Sequence, residues 1–170
     1  YGAVAFDRAC REAGVQPIIG MTITVAPPES EVGLFGPPGR LVLLAMGSQG
    51  YRSLCRLSSW VQAHPDRETR AAHGIEWAEL AAHSEGLICL SGGRLGWVER
   101  LLRAGRMPAA RRYAQRLAEL YSDRAYLGLE VHQPSDLAVA RDLIELGQEV
   151  GLTAVAAQPI YCLSPTEAPR

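Results

Sequence analysis

Apolar residues return at helical intervals in the first dozen positions. Ala3, Val4, Phe6, Ala9 and Cys10 form one stripe, and Gly14 stands where such a helix would end. The period then changes. Residues 17–25 contain the β-branched run Ile18-Ile19-Gly20-Met21-Thr22-Ile23-Thr24-Val25, which predicts a strand stopped by Ala26-Pro27-Pro28. Four prolines and three glycines crowd residues 27–39, so this stretch is expected to be an exposed loop. Arg40-Leu41-Val42-Leu43-Leu44-Ala45, apolar throughout after Arg40, reads as a second strand.

Helical spacing resumes over residues 49–62, with Leu54, Leu57 and Val61 on one face. Residues 64–74 are polar without a period and read as a loop. A short helix is expected over 77–82, then a buried strand over 87–90 closed by Ser91-Gly92-Gly93. Two helices follow, over 97–104 and 108–120, the second opening on proline. Residues 126–131 predict a strand, and 136–150 a long amphipathic helix with Ser135 as N-cap and Gly151 at its end. Residues 153–156 predict the last strand, and a frayed tail is expected from Ser164. Helices long enough for crossovers thus alternate with strands, which predicts an α/β fold built on a parallel sheet or barrel. No fixed repeat or internal linker marks a second domain.

At 170 residues and 48% hydrophobic content, the chain can bury one substantial core. Its 17 basic residues, every one arginine, nearly balance 18 acidic ones, so net charge announces no nucleic-acid surface. The absence of lysine reads as coding bias rather than a binding feature. Cys10, Cys55, Cys89 and Cys162 lack the close spacing of a structural zinc site, and Cys89 sits in an apolar run as a small buried hydrophobe. No segment resembles a signal peptide, and no apolar run approaches the ~20 residues that span a bilayer. A soluble, reducing, cytoplasmic setting is the expectation.

Several residues could carry chemistry. Glu130 and His132 lie two apart at a strand end, where they could serve a metal or an acid–base pair, or make ordinary polar contacts. His73 and His83 flank a short helix without a partner at ligand spacing and are expected to be solvated. Ser91-Gly92-Gly93 before a helix could cradle phosphate, though a tight turn explains it equally well. Arg94, Arg100, Arg103, Arg106, Arg111 and Arg112 form a local basic cluster that could touch nucleic acid or line a solvated helical face.

Read in order, the motifs resemble one known family. Tyr1-Gly2-Ala3-Val4-Ala5-Phe6 leads into Pro17-Ile18-Ile19-Gly20, then come Leu41-Val42-Leu43-Leu44-Ala45 and Gly50-Tyr51-Arg52-Ser53-Leu54-Cys55-Arg56-Leu57. Glu85-Gly86-Leu87-Ile88-Cys89-Leu90-Ser91-Gly92, the run from Tyr126 to His132, and Val155-Ala156-Ala157 follow. This series resembles the PHP (polymerase and histidinol phosphatase) domain of bacterial DNA polymerase III alpha subunits, with motifs partly of replicative and partly of error-prone members. The resemblance implies an α/β fold, a PHP-type distorted (β/α) barrel incomplete at its N-terminus, with residues 1–163 as the domain and 164–170 as a tail or linker.

Active PHP domains resemble metal-dependent phosphoesterases with a trinuclear centre of His, Asp, Glu and Cys ligands. Carried over one position at a time, the resemblance places Thr22 where the family has glutamate and Gly93 where it has cysteine. Gln62 stands in place of a histidine, although an offset of two would bring His64 there instead. Gln158, Pro159 and Tyr161 stand where the final asparagine, aspartate and histidine belong. It therefore implies a non-catalytic domain without metal or other cofactor. That domain would pack against the remainder of a polymerase alpha subunit and offer a surface to a proofreading exonuclease subunit, reaching DNA only through the parent polymerase. Two alternatives stand beside this: a phosphoesterase or 3′–5′ exonuclease that uses ligands outside this chain, and a free-standing degenerate PHP interaction module.

Overall fold

The computed structural model describes residues 2–27, 38–63 and 65–157. The opening stripe forms helix α1 (Ala3–Glu12), which closes through two backbone bonds, Gly14 N–H to Arg11 O and Val15 N–H to Cys10 O. Gly14 holds the left-handed φ of 70° that this closure needs. None of the residues of α1 is buried, and Val4 and Phe6 on its apolar stripe are 72% and 51% exposed.

Five strands follow: β1 (Gly20–Val25), β2 (Gly39–Ala45), β3 (Leu87–Leu90), β4 (Ala125–Leu129) and β5 (Thr153–Ala156). They form one open sheet in the order β1-β2-β3-β4-β5, consistent with a distorted barrel. The expectation of a parallel sheet holds for only half of it. β3, β4 and β5 run parallel, whereas β1–β2 and β2–β3 are antiparallel. The reason lies in the connections. Helices α2 (Gly47–Gln62), α3 (Arg67–His73) and α4 (Trp77–Ala82) return the chain to the end it left, with Ala45 opposite Leu87. Helices α5 (Trp97–Arg103) and α6 (Met107–Tyr121), and later α7 (Asp136–Val150), carry it to the other end, as parallel pairing requires.

Helix α3 occupies the stretch expected to be a loop. Its sequence is polar on all sides and none of its residues is buried, so no apolar period betrays it. Tertiary contacts hold it instead. The Thr24 hydroxyl donates to Ala71 O at 3.0 Å, the Arg70 guanidinium stacks on Trp60 at 4.2 Å, and Ile75 just beyond bridges to Val25.

Strand alternation sorts the sheet into two faces. Ile23, Val25, Leu41, Leu43, Leu87, Cys89, Ala125 and Leu127 are buried in one cluster with Leu57, Leu80, Leu101, Leu117 and Leu143 from the helices. Cys89 is thus the buried hydrophobe expected, and burial pushes its thiol pKa far up. Thr22, Val42, Leu90 and Tyr126 alternate to the other face and lie in register across four strands. Trp97 anchors the centre: it is fully buried, and its indole N–H donates to Val25 O at 3.1 Å. A Cβ at Gly39 would stand 2.5 Å from its Nε1, so glycine is what lets β2 begin against the ring.

Candidate functional site

The carboxyl ends of β3 and β4 carry the residues singled out in the sequence. After Leu90 the chain turns sharply through Ser91, Gly92 and a single 3-10 turn, Gly93–Leu95, before Gly96 opens α5. Ser91 locks this turn to the neighbouring strand: its N–H donates to Tyr126 O, and its hydroxyl accepts the Gly128 N–H at 3.0 Å. Gly92 and Gly93 both have positive φ, 82° and 53°. A Cβ at Gly92 would strike the Arg40 carbonyl, and one at Gly96 the Ser91 carbonyl. Gly93 differs, because its missing side chain is replaced by another residue's. A Cβ there would fall onto Oε1 and Cδ of Glu130 and stand 2.9 Å from its Cγ.

Glu130 follows the end of β4, which stops at Leu129 rather than reaching 131. Its side chain is 15% exposed, and its Oε2 lies 3.5 Å from Nε2 of His132. The two residues expected as a pair are therefore together, joined by a long contact, and Gly93 joins them from the adjoining turn. Thr22 sits at the same end of the sheet, level with Leu90 through Val42, two strand spacings or about 10 Å across. It is exposed on β1. Gln62 is exposed at the end of α2, beside a shallow groove with Pro65, Asp66 and Arg67. His64, Gln158, Pro159 and Tyr161 lie outside the described residues.

Beside Glu130 is an ion network that the sequence reading missed. Asp136 is 1% exposed and accepts the N–H groups of His132 and Gln133, at 3.0 and 3.2 Å. Arg94 and Arg103 reach the same carboxylate at 3.3 and 3.0 Å. Burial pushes the Asp136 pKa up, but those N–H donors and guanidinium groups outweigh it and hold the carboxyl below its ordinary value. Arg103 also grips Oε1 of Glu99 through Nε and Nη2, at 2.8 and 2.6 Å. Glu99 is 2% exposed, and its Oε2 is buried without a hydrogen-bond partner. Its pKa is raised, chiefly by burial, with Arg103 opposing and the negative charge of Glu130 adding to the shift. The Glu99–Arg103 spacing of four on a helix was the available sequence signal. Asp136 gave none, since Ser135 was the expected cap. Ser135 holds the N-cap position but makes no capping bond, while Asp136 binds backward into the preceding turn.

The arginine cluster is partly exposed but largely engaged with partners within the chain. Beyond Arg94 and Arg103, Arg111 pairs with Glu149 at 2.7 Å and Arg100 stacks on Trp97 at 4.4 Å. Arg106 and Arg112 also have partners. His73 is exposed and its Nδ1 lies 3.1 Å from Thr69 O. His83 departs from expectation: it is half-buried rather than solvated, with Nδ1 shut away from water and unpartnered. Among the described residues, no three His, Cys, Asp or Glu side chains stand together as a metal-binding group. No described helix is long and apolar enough to cross a membrane.

An open α/β sheet with its candidate site at the carboxyl ends of the strands agrees with the family the motifs suggested. The profile described as "PHP domain" matches residues 1–132, and the chain belongs to that family. It is 34% identical over 173 residues to the DNA polymerase III subunit alpha of Caulobacter vibrioides, covering 97% of this chain and 14% of that protein. It is 35% identical to the error-prone DNA polymerase of Symbiobacterium thermophilum, over 94% of this chain and 15% of the relative. With the Bacillus subtilis DNA polymerase III subunit alpha the identity is 27%, over 95% of this chain and 14% of the relative. The chain thus spans only a small part of the curated relatives that it matches.

Proposed function

We infer that this is a non-catalytic PHP domain of a DNA polymerase III alpha-type subunit, serving DNA replication as a structural and docking element. The observation that carries this reading is the filled position at Gly93. A multinuclear metal centre needs several anionic or imidazole donors converging on one cavity. Here the volume that a ligand at 93 would use is taken by the Glu130 side chain, and Thr22 offers a neutral hydroxyl. Glu130, Asp136 and Glu99 are carboxylates, but two of them are engaged with Arg103. These residues do not fit the cluster of an active PHP phosphoesterase.

Docking would be to the remainder of the polymerase subunit and to a proofreading exonuclease subunit, with DNA reached through the parent enzyme. The pairing of these arginines with carboxylates and rings of the same chain supports this, because affinity for phosphate grows with the number of available cationic contacts. The test is elemental analysis of the purified full chain, with a nuclease assay run with and without chelator. No stoichiometric zinc, manganese or iron and no chelator-sensitive turnover is the expected result. Two or three tightly held metals per chain with chelator-sensitive hydrolysis would overturn the reading in favour of a surviving phosphoesterase.

A further inference from the structure

We propose that Glu130 is a built-in plug of the site, matched sterically to Gly93, so that a side chain at 93 requires Glu130 to swing away or be replaced. Three glycines shape the turn after β3, and each excludes a side chain for a different reason. At Gly92 and Gly96 the obstacle is backbone, the carbonyls of Arg40 and Ser91, which cannot move without dismantling β2 or the turn. At Gly93 the obstacle is Cγ, Cδ and Oε1 of one side chain, Glu130, arriving from the neighbouring strand end. That obstacle can be removed by a single substitution.

Glu130 is also held in place. It is 15% exposed, with His132 beside its Oε2 at 3.5 Å, and Asp136 pins the His132 and Gln133 N–H groups. The loop that carries the plug is therefore tied to α7 and, through Arg103, to α5. With the carboxylate lodged in this corner, a ligating side chain at 93 enters it only if Glu130 rotates out. The corner is a self-occupied pocket whose occupant is encoded 37 positions away. This pairing takes the corner to be the silenced site proposed above, but the two ideas fail separately: one is read by metal content, the other by stability.

The experiment is a double-mutant cycle on the full chain with thermal unfolding as readout. Gly93→Ala is expected to lower the melting temperature by ~8 °C, part from the left-handed backbone and part from collision with Glu130. In a Glu130→Ala background the same substitution should cost about half of that, because only the backbone term remains. Gly92→Ala and Gly96→Ala are the controls, and Glu130→Ala should not rescue either. Equal losses from Gly93→Ala in both backgrounds would overturn the proposal, as would equal rescue of all three glycine variants. Should Gly93→Ala fail to fold in the native background, recovery of a cooperative transition in the double variant supports the pairing, and failure of both refutes it.

Discussion

Arg103 on α5 bonds to Asp136 at the start of α7, with Nη2 3.0 Å from Oδ1 and the carboxylate 1% exposed. That contact, with Arg94 and two backbone N–H groups on the same carboxylate, makes Asp136 the junction of the turn after β3, the loop after β4 and two helices. Asp136→Asn should therefore lower the melting temperature more than Arg94→Ala, since Arg94 removes one of four contacts and Asn weakens all of them. The sign with pH follows from the depressed pKa. The stabilisation is present above the unfolded value of 3.8 and is lost as pH falls through the lower folded value. Melting curves of the two proteins should converge in that acid range. A constant difference down to the lowest pH would contradict this.

Glu99 predicts the opposite slope. Its folded pKa lies above the ordinary 4.5, chiefly through burial. Its contribution is thus fully present below about pH 4.5 and declines as pH rises through the folded value. Replacing it by glutamine, which cannot ionise, should flatten the decline of stability as pH rises from about 4.5 through the folded pKa while still accepting a bond from Arg103. Chemical denaturation across that interval checks this, and an unchanged slope in Glu99→Gln would refute it.

Trp97→Phe tests the centre of the fold. The phenyl ring leaves the pyrrole part of the indole's space unfilled, and Val25 O loses the donor that reaches it at 3.1 Å inside the core. Val25 keeps its ladder pairing with Gly39, so the expected loss in urea-derived stability is that of one net hydrogen bond, about 0.5–1.5 kcal/mol, plus the cost of the space left by the smaller ring.

Restoring family residues should not restore chemistry. Thr22→Glu lies on an exposed strand position and should change stability by no more than ~0.5 kcal/mol. Gly93→Cys places its side chain against Glu130 and should be costly. The double variant is expected to gain no chelator-sensitive nuclease activity, measured on single-stranded and duplex DNA. Appearance of such activity would show that the rest of the centre is intact.

Much of this protein was legible in the order of its residues. Local periodicity specified α1, α2, α6 and α7, and β-branched or fully apolar runs specified the strands, because burial of one face writes a repeating pattern into the chain. The family resemblance needed only the linear motifs. What tertiary structure alone decided are relationships between distant segments. Helix α3 has no apolar stripe and exists through Thr24, Trp60 and Ile75. The antiparallel half of the sheet follows from where a three-helix excursion returns the chain. Gly93 reads in sequence as part of a glycine turn and as a missing ligand, and Glu130 as half of a pair with His132. Their mutual fit arises because β3 and β4 lie side by side, so one strand's end can fill the hollow left by the other's. A linear pattern records which residues seek burial; it does not record which distant side chain takes a particular space.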